Sequence, residues 1–258
     1  MEDIFLLETK FAFAKSLIRE AGAFIKIKMT EQLHIEEKTQ FDDLVTNIDK
    51  STQDLLVSKI KHNYPTDNIM GEENDLCHPI DDGKVWVLDP IDGTVNFVVQ
   101  GTNFTVMIAY FEEGVGKFGL IYDVMDDILY SGGGEFDVYA NNKKLSPCKN
   151  IPLNRSLIGS NSNMFASNYH GIRDLSHQTL GVRVYGGSGI SMSQVMAGQL
   201  MAYFSYIQPW DYAAASIMGE KLGYTLLTFD WQKPDYMSRQ KIMFVPKEKL
   251  NEIKKFIY

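Results

Sequence analysis

Trp86-Val87-Leu88-Asp89-Pro90-Ile91-Asp92-Gly93-Thr94 is the stretch whose reading decides the rest of this chain. Lys84 to Leu88 is apolar and rich in β-formers, which predicts a strand, and Pro90 confines Asp89 to extended geometry. The strand therefore ends in acid. Pro-Ile between the two aspartates and Gly-Thr after them suit a turn that bends both carboxylates around one centre, as a hard cation requires. The bland alternative is an Asp-rich, Gly-terminated turn, since a D-x-x-D pair is a weak signal in itself. Gly93 frees a backbone for close approach to an anion and Thr94 adds a hydroxyl, and both weigh toward chemistry.

Upstream, Asn68-Ile69-Met70-Gly71-Glu72-Glu73 sets a short apolar segment against two acids, so Glu72 is either a ligand brought beside Asp89 or surface charge. Thr46 followed by Asp49 reads as a capping box opening a helix with Leu55, Leu56 and Ile60 on its apolar face, ending at Tyr64-Pro65. Asp43 and Asp49 thus have an ordinary reading as surface acid and cap. From Ile4 to Lys28 apolar residues recur at helical spacing among Lys, Arg and Glu, an amphipathic helix of the core. Cys77-His78 lacks a second pair to complete a zinc set.

Downstream, Phe104 to Phe111 and Phe118 to Val124 read as strands joined by a Gly114 to Gly116 turn. Ile128 to Tyr130 and Phe136 to Tyr139 extend the antiparallel pattern. Gly132-Gly133-Gly134 between them reads as a hairpin turn, without the lysine or the strand-to-helix setting of a phosphate loop. Pro147 and Pro152 bracket a polar boundary, dividing an N-terminal α+β metal-binding subdomain, 1–146, from a C-terminal α/β subdomain, 147–258. In the second part Ser156 to Gly159 and Val182 to Tyr185 read as strands, with Phe165 to Gln178 as one helix between them. Gly186-Gly187-Ser188-Gly189 opens a helix over Ile190 to Leu200, with Ser188 as its cap or facing a ligand. Met201 to Ile207 reads as a strand. Asp211 then sits at the start of an Ala-rich helix through Leu222, where a negative side chain is locally favourable. Leu226 to Phe229 and Ile242 to Val245 complete the strands, and Pro246 precedes a short closing helix.

The 258 residues carry a formal charge of −8 with 45% hydrophobic content. That composition describes a folded chain and argues against a nucleic-acid groove or an anionic membrane surface as partner. An anionic small substrate stays open, because a bound divalent cation reverses the local field. The start lacks a signal-peptide pattern and there are two cysteines, so a reducing cytoplasm is the expected location.

Asp43-x-x-Thr46-x-x-Asp49, Gly71-Glu72-Glu73, Asp89-Pro90-Ile91-Asp92-Gly93-Thr94-x-Asn96-Phe97 and Trp210-Asp211, in that order, resemble the inositol monophosphatase family over nearly the whole chain. The resemblance implies an α/β fold, a layered αβαβα sandwich of the inositol monophosphatase and sugar phosphatase type, commonly a homodimer. It implies that Glu72, Asp89 and the Ile91 carbonyl hold one Mg²⁺ and that Asp89, Asp92 and Asp211 hold another, with a third ion in some members. It places Thr94 and Asp49 beside the attacking water, with Asp43 nearby, and the backbone around Gly93-Thr94 against the phosphate. The substrate is then a small phosphomonoester. Inositol-hydrolysing relatives carry a glutamate seven residues before the Trp-Asp aspartate, where this chain has Phe204 followed by Ser205. Phe204 and the Gly186 to Gly189 loop, with Gly187 and Ser188, are accordingly the expected selectivity elements. Inositol monophosphate is the leading substrate, NADP(H) 2′-phosphate the principal alternative, and nucleotide 3′-phosphates and fructose 1,6-bisphosphate follow. A two-metal nuclease and a noncatalytic metal-binding scaffold are the readings from other classes. An Asp92→Asn exchange is expected to weaken the metal site and sharply reduce turnover while leaving the fold largely intact.

Overall fold

A computed structural model describes residues 2–37, 44–74 and 76–258. The first helix, α1, spans Glu2–Lys28. A ribbon of β1 (Ile35–Glu37) and β2 (Leu44–Thr46) follows, then α2 (Asn47–Asn63), β3 (Asn68–Gly71), β4 (Lys84–Asp92) and α3 (Thr94–Gln100). Strands β5 (Thr105–Glu112), β6 (Val115–Asp123), β7 (Ile128–Gly133), β8 (Phe136–Ala140) and β9 (Lys143–Lys144) are consecutive antiparallel neighbours. Together with β4 and β3 they make a seven-stranded sheet in the order β3-β4-β5-β6-β7-β8-β9, in which β3 runs parallel to β4.

The remainder begins with β10 (Ile158–Ser160), α4 (Ser162–Ala166), α5 (Ile172–Ser176) and β11 (Val182–Arg183). It continues through α6 (Ser188–Met196), β12 (Ala202–Ile207), α7 (Pro209–Leu222), β13 (Tyr224–Thr228), β14 (Gln240–Pro246) and α8 (Leu250–Ile253). These strands form a mixed five-stranded sheet in the order β11-β10-β12-β14-β13.

Three apolar cores stack the layers. Trp86 and Leu88 of β4 pack with Val106, Ile108 and Tyr110 of β5 beneath Leu17, Ile18 and Ile25 of α1 and Leu56 and Ile60 of α2. From the opposite face Val85 and Val87 join Met107 and Ala109 against Met192 and Val195 of α6 and the Ala213–Ala215 run of α7. The other side of α6 and α7 meets Tyr203, Ile242 and Phe244 of the five-stranded sheet. The far face of that sheet, Ile158, Phe204, Met243 and Val245, is closed by Met164, Ile172, Leu175 and Ile253. Helix, sheet, helix, sheet and helix thus alternate. β4 and β5 are covered on both faces, which is why they read as unbroken apolar runs instead of alternating ones.

The sequence expectations hold for the principal strands and for the first two helices, and four details differ. β4 does not stop at Leu88 but continues through Pro90 to Asp92. Asp89 pairs with Met107 and Asp92 with Thr105, so three steps on β4 match two on β5 and the strand carries a bulge. A proline lacks the ladder N–H, and a bulge is where a sheet tolerates one. The expected helix over 165–178 is two short ones, broken where Asn168, His170 and Gly171 take positive φ. The strand expected over 182–185 ends at Arg183. α6 starts at Ser188 and ends at Met196, earlier at both ends than expected.

The buried start of β4 is tied down by polar contacts. The Trp86 indole donates to Asp67 at 2.9 Å, and Asp67 pairs with the buried Lys10 ammonium of α1. Burial pulls the Lys10 pKa down, against the opposing hydrogen bond and charge of Asp67. The acidic end of β4 is thereby presented by a strand anchored at its other end.

Candidate active site

Asp89 and Asp92 lie at the carboxyl end of β4, the two sides of its bulge, and Asp211 lies in the first turn of α7. One carboxylate oxygen from each falls within 4.8 Å of the others. They floor a cleft of about 380 Å³ at the carboxyl ends of β4, β10 and β12, whose walls include Glu72, Ile91, Gly93, Thr94, Gly187 and Ser188. Crevices at strand carboxyl ends are where α/β sheets leave room for ligands. The helices α3, α6 and α7 all begin at this cleft, so three positive helix ends face the acids.

The three clustered carboxylates have unlike surroundings. Asp89 is 1% exposed, and neither of its oxygens has a hydrogen-bond partner among the described residues. Burial, followed by the charges of Glu72, Asp92 and Asp211, holds its carboxyl well above the usual carboxylate range. Asp211 is pushed well above that range by burial first and then by Asp92 and Glu72. It accepts the Gln208 N–H at 2.8 Å, completing a reciprocal cap with the Gln208 side chain. Asp92 is the satisfied one. Its Oδ1 accepts both the N–H, at 3.0 Å, and the hydroxyl of Ser188, and its Oδ2 accepts the Gly189 N–H at 2.8 Å and the Thr105 hydroxyl at 3.3 Å. Burial still raises its pKa, with these hydrogen bonds opposing. Four donors thus meet this carboxylate, where that of Asp89 meets none among the described residues.

Asp92 therefore caps α6 from 96 residues away, correcting the expectation that Ser188 caps its own helix. Ser188 occupies the first helical position and gives both of its donors to Asp92. Gly187 permits this approach, since a Cβ there would stand 3.0 Å from Asp92 Oδ2. Gly93 enters α3 with φ 88°, a left-handed conformation natural to glycine. Asn96 links the two loops by donating to the carbonyls of Asn103, at 3.0 Å, and Tyr185, at 2.7 Å.

Asp49 lies 45 residues from Thr94 in sequence and reaches it directly. Its Oδ2 accepts the Thr46 N–H, at 2.9 Å, and the Thr46 hydroxyl, while the Thr46 hydroxyl oxygen accepts the Asp49 N–H. The expected capping box is present. The other carboxylate oxygen lies 3.2 Å from the Thr94 hydroxyl, which also reaches the Ile91 carbonyl at 3.1 Å. Asp49 is buried, so one side chain closes the cap of α2 and presents an acceptor to Thr94. Glu72 follows β3 directly, its N–H on the Leu88 carbonyl at 3.3 Å. The turn after it is clamped by Gln53, whose amide accepts the Glu73 N–H at 2.9 Å and donates to the Glu73 carbonyl.

Among the expected site residues, Glu72, Asp89, Ile91, Asp92, Gly93, Thr94, Gly187, Ser188 and Asp211 all line the cleft, and Asp49 joins them through Thr94. Asp43 lies outside the described residues. Phe204 is a correction. It is fully buried in the core between the five-stranded sheet and the outer helices and touches no part of the cleft. Strand alternation is the reason: on β12, Tyr203 and Ser205 turn to the cleft and Phe204 turns away. Counting seven residues back from Asp211 crosses the pleat on the wrong step. Gln53, Tyr203 and Arg239 were not anticipated, because nothing local to them signals a long-range partner.

Four acids lining one cleft, one of them with no hydrogen-bond partner on either oxygen among the described residues, suit a hard divalent cation held by oxygen. A model of the inositol monophosphatase family matches residues 6–255. The inositol-1-monophosphatase of Bacillus subtilis is 38% identical over 237 residues, 89% of each chain. The crystal structure of 2′-AMP-bound SaIMPase-II aligns with TM-score 0.85 at 31% identity, covering 96% of this chain and 94% of that one. That of an IMPase/NADP phosphatase complexed with Mg²⁺ and phosphate aligns with TM-score 0.90 at 25% identity, covering 97% and 95%.

Proposed function

Since the chain belongs to the inositol monophosphatase family and is a Mg²⁺-dependent phosphomonoesterase of that type, we propose that its site works through the following division of labour. Glu72, Asp89 and the Ile91 carbonyl would hold one Mg²⁺, and Asp89, Asp92 and Asp211 would hold a second. The observation that carries this reading is Asp89, buried with two oxygens unpartnered among the described residues, inside a cluster of like charge. When bound, Mg²⁺ supplies neutralisation of the phosphoryl oxygens and a more acidic attacking water.

The protein residues do the rest. Thr94 Oγ1 accepts a proton from the water while passing its own to Asp49 Oδ1, which lies 3.2 Å away. Asp43, which the family resemblance assigns near the attacking water, belongs to the same proposal. The backbone at Gly93 and Thr94 receives the phosphate at the start of α3. Asp92, fixed against α6, ties metal binding to the Gly187-Ser188 wall. Water attacks phosphorus in line, the P–O bond to the alcohol breaks, the departing alkoxide takes its proton from solvent water, and no phosphoenzyme forms.

Inositol monophosphate is the first substrate of this reading, supported by the Bacillus subtilis relative. A 2′-phosphorylated nucleotide such as NADP(H) is the second, supported by the 2′-AMP-bound and IMPase/NADP phosphatase structures. A homodimer belongs to the same proposal, testable by light scattering, as does a reducing cytoplasmic location, which suits the unpaired Cys77 and Cys148. Among the described residues no helix is long and apolar enough to cross a membrane.

The deciding assay is Mg²⁺-dependent phosphate release from inositol 1-phosphate, NADP⁺, fructose 1,6-bisphosphate and adenosine 3′,5′-bisphosphate, compared by kcat/KM. Release from at least one, abolished by EDTA and restored by Mg²⁺, is expected. Release from none, or release indifferent to EDTA, would refute the assignment of the metal site.

A further inference from the structure

Arg239 is the one cation among the described residues lining the cleft. It immediately precedes β14, across from the end of β12, and its guanidinium carbon lies 4.5 Å from the centre of the Tyr206 ring. Its Nε donates to the Tyr206 carbonyl at 3.4 Å, so the stack is held from the backbone as well. Lys241, paired with Tyr206 across the two strands, has its ammonium 4.4 Å from the Tyr169 ring and 5.5 Å from that of Tyr206. Neither cation forms an ion pair with a carboxylate among the described residues. The nearest acid in that loop, Asp235, spends its carboxylate on the N–H groups of Met237 and Ser238 and on the Ser238 hydroxyl.

Two unpaired positive charges on one exposed ring are unusual in a chain of net charge −8. Stacked cations of this kind gain from the ring quadrupole and keep their outer N–H groups for a ligand. Their place in the site is specific. The acids and Thr94 share the cleft lining with Arg239, Tyr206, Ser205 and Tyr203. A phosphate drawn to the acids by cations would leave its alcohol portion to the rest of that lining, where Arg239 is the one cation among the described residues.

The geometry points to a leaving-group subsite at Arg239 and Tyr206 that selects phosphomonoesters whose alcohol carries a second anionic group. This rests on the phosphomonoesterase reading of the same cleft. Arg239 is the specificity-determining residue, with Tyr206 holding its plane and Lys241 adding field. Neutral polyol phosphates offer this subsite nothing charged. Phosphorylated sugars and nucleotides with a further phosphate or pyrophosphate do.

The test uses two substrate pairs that differ by one phosphate: 2′-AMP against adenosine 2′,5′-bisphosphate, and fructose 1-phosphate against fructose 1,6-bisphosphate. In the wild type the kcat/KM ratio of bisphosphate to monophosphate should exceed unity in both pairs. Arg239→Ala should lower each ratio roughly tenfold, chiefly through KM, and Arg239→Lys should restore part of it. Raising ionic strength should shrink the wild-type ratio more than the Arg239→Ala ratio. Ratios unmoved by Arg239→Ala would overturn the subsite. So would a loss confined to both adenosine compounds equally, which would assign that lining to base stacking. Absence of Mg²⁺-dependent release from all four substrates would instead remove the phosphomonoesterase reading beneath it.

Discussion

One substitution, made at two aspartates three residues apart, should move stability in opposite directions. Asp89→Asn removes a buried ionisable group whose oxygens meet no donor among the described residues and which faces Glu72, Asp92 and Asp211. Relieving a buried, unsatisfied ionisable group of that kind is worth on the order of 1–2 kcal/mol in the metal-free protein. For a chain of this size that raises Tm by roughly 2–8 °C. Asp92→Asn replaces an acceptor that four donors surround, turning an amide NH₂ toward N–H and hydroxyl groups at the start of α6. The expected loss is about 1–3 kcal/mol, roughly 2–12 °C. That loss lowers the melting temperature while leaving the fold largely intact, as expected from the sequence.

Magnesium supplies the second axis of that experiment. At a hundredfold excess over Kd it stabilises the wild type by about 2.7 kcal/mol, roughly 5–11 °C in Tm, and both variants should lose most of that shift. Thermal unfolding followed by circular dichroism, with EDTA and then with Mg²⁺, measures all of these together. A metal-free Asp89→Asn protein that melts no higher than wild type, or that keeps the full Mg²⁺ shift, would refute the claim that Asp89 is an orphaned metal ligand. The pH dependence has a definite sign. Folded-state pKa values of Asp89 and Asp211 lie well above the unfolded value of about 3.9, so their contribution is complete below that pH and is lost as pH rises toward the raised values. Metal-free wild type should melt higher at pH 5.5 than at pH 8, and Asp89→Asn should flatten the difference.

Thr94→Val should lower kcat by about 10²- to 10⁴-fold while keeping the Mg²⁺-induced Tm shift; an unchanged kcat would remove Thr94 from the proton path. Gln53→Ala frees the turn after Glu72 without touching the cleft and should weaken Mg²⁺ binding about 10- to 100-fold, measured by titration calorimetry, whereas unaltered affinity would mean Glu72 is placed without that clamp. Phe204→Leu should cost about 1 kcal/mol in denaturant unfolding and leave the relative kcat/KM values for inositol 1-phosphate and NADP⁺ as they are. A change in that ratio would show that Phe204 reaches the substrate after all.

Residues close together in the chain carried most of what the sequence could determine. Lys84 to Leu88 is a strand because it is apolar on both faces, α1 is a helix because its apolar residues recur at helical spacing, and Thr46 and Asp49 form their cap within a single turn. The motif order from Asp49 through Glu72, Asp89 and Asp92 to Asp211 was likewise legible, and with it the family and its chemistry. The tertiary structure decided which neighbours those acids meet. Asp89 and Asp92 share one motif, yet one is orphaned and the other is saturated by donors from Ser188 and Gly189, a difference set by where α6 begins. Phe204 and Ser205 are adjacent in the chain, and the pleat of β12 sends one into the core and the other to the cleft. Arg239 gains significance only because β14 lies beside β12. Local propensity and periodicity act over a few residues, while burial, orphaned acceptors and cation stacking depend on contacts between segments that only the packed layers bring together.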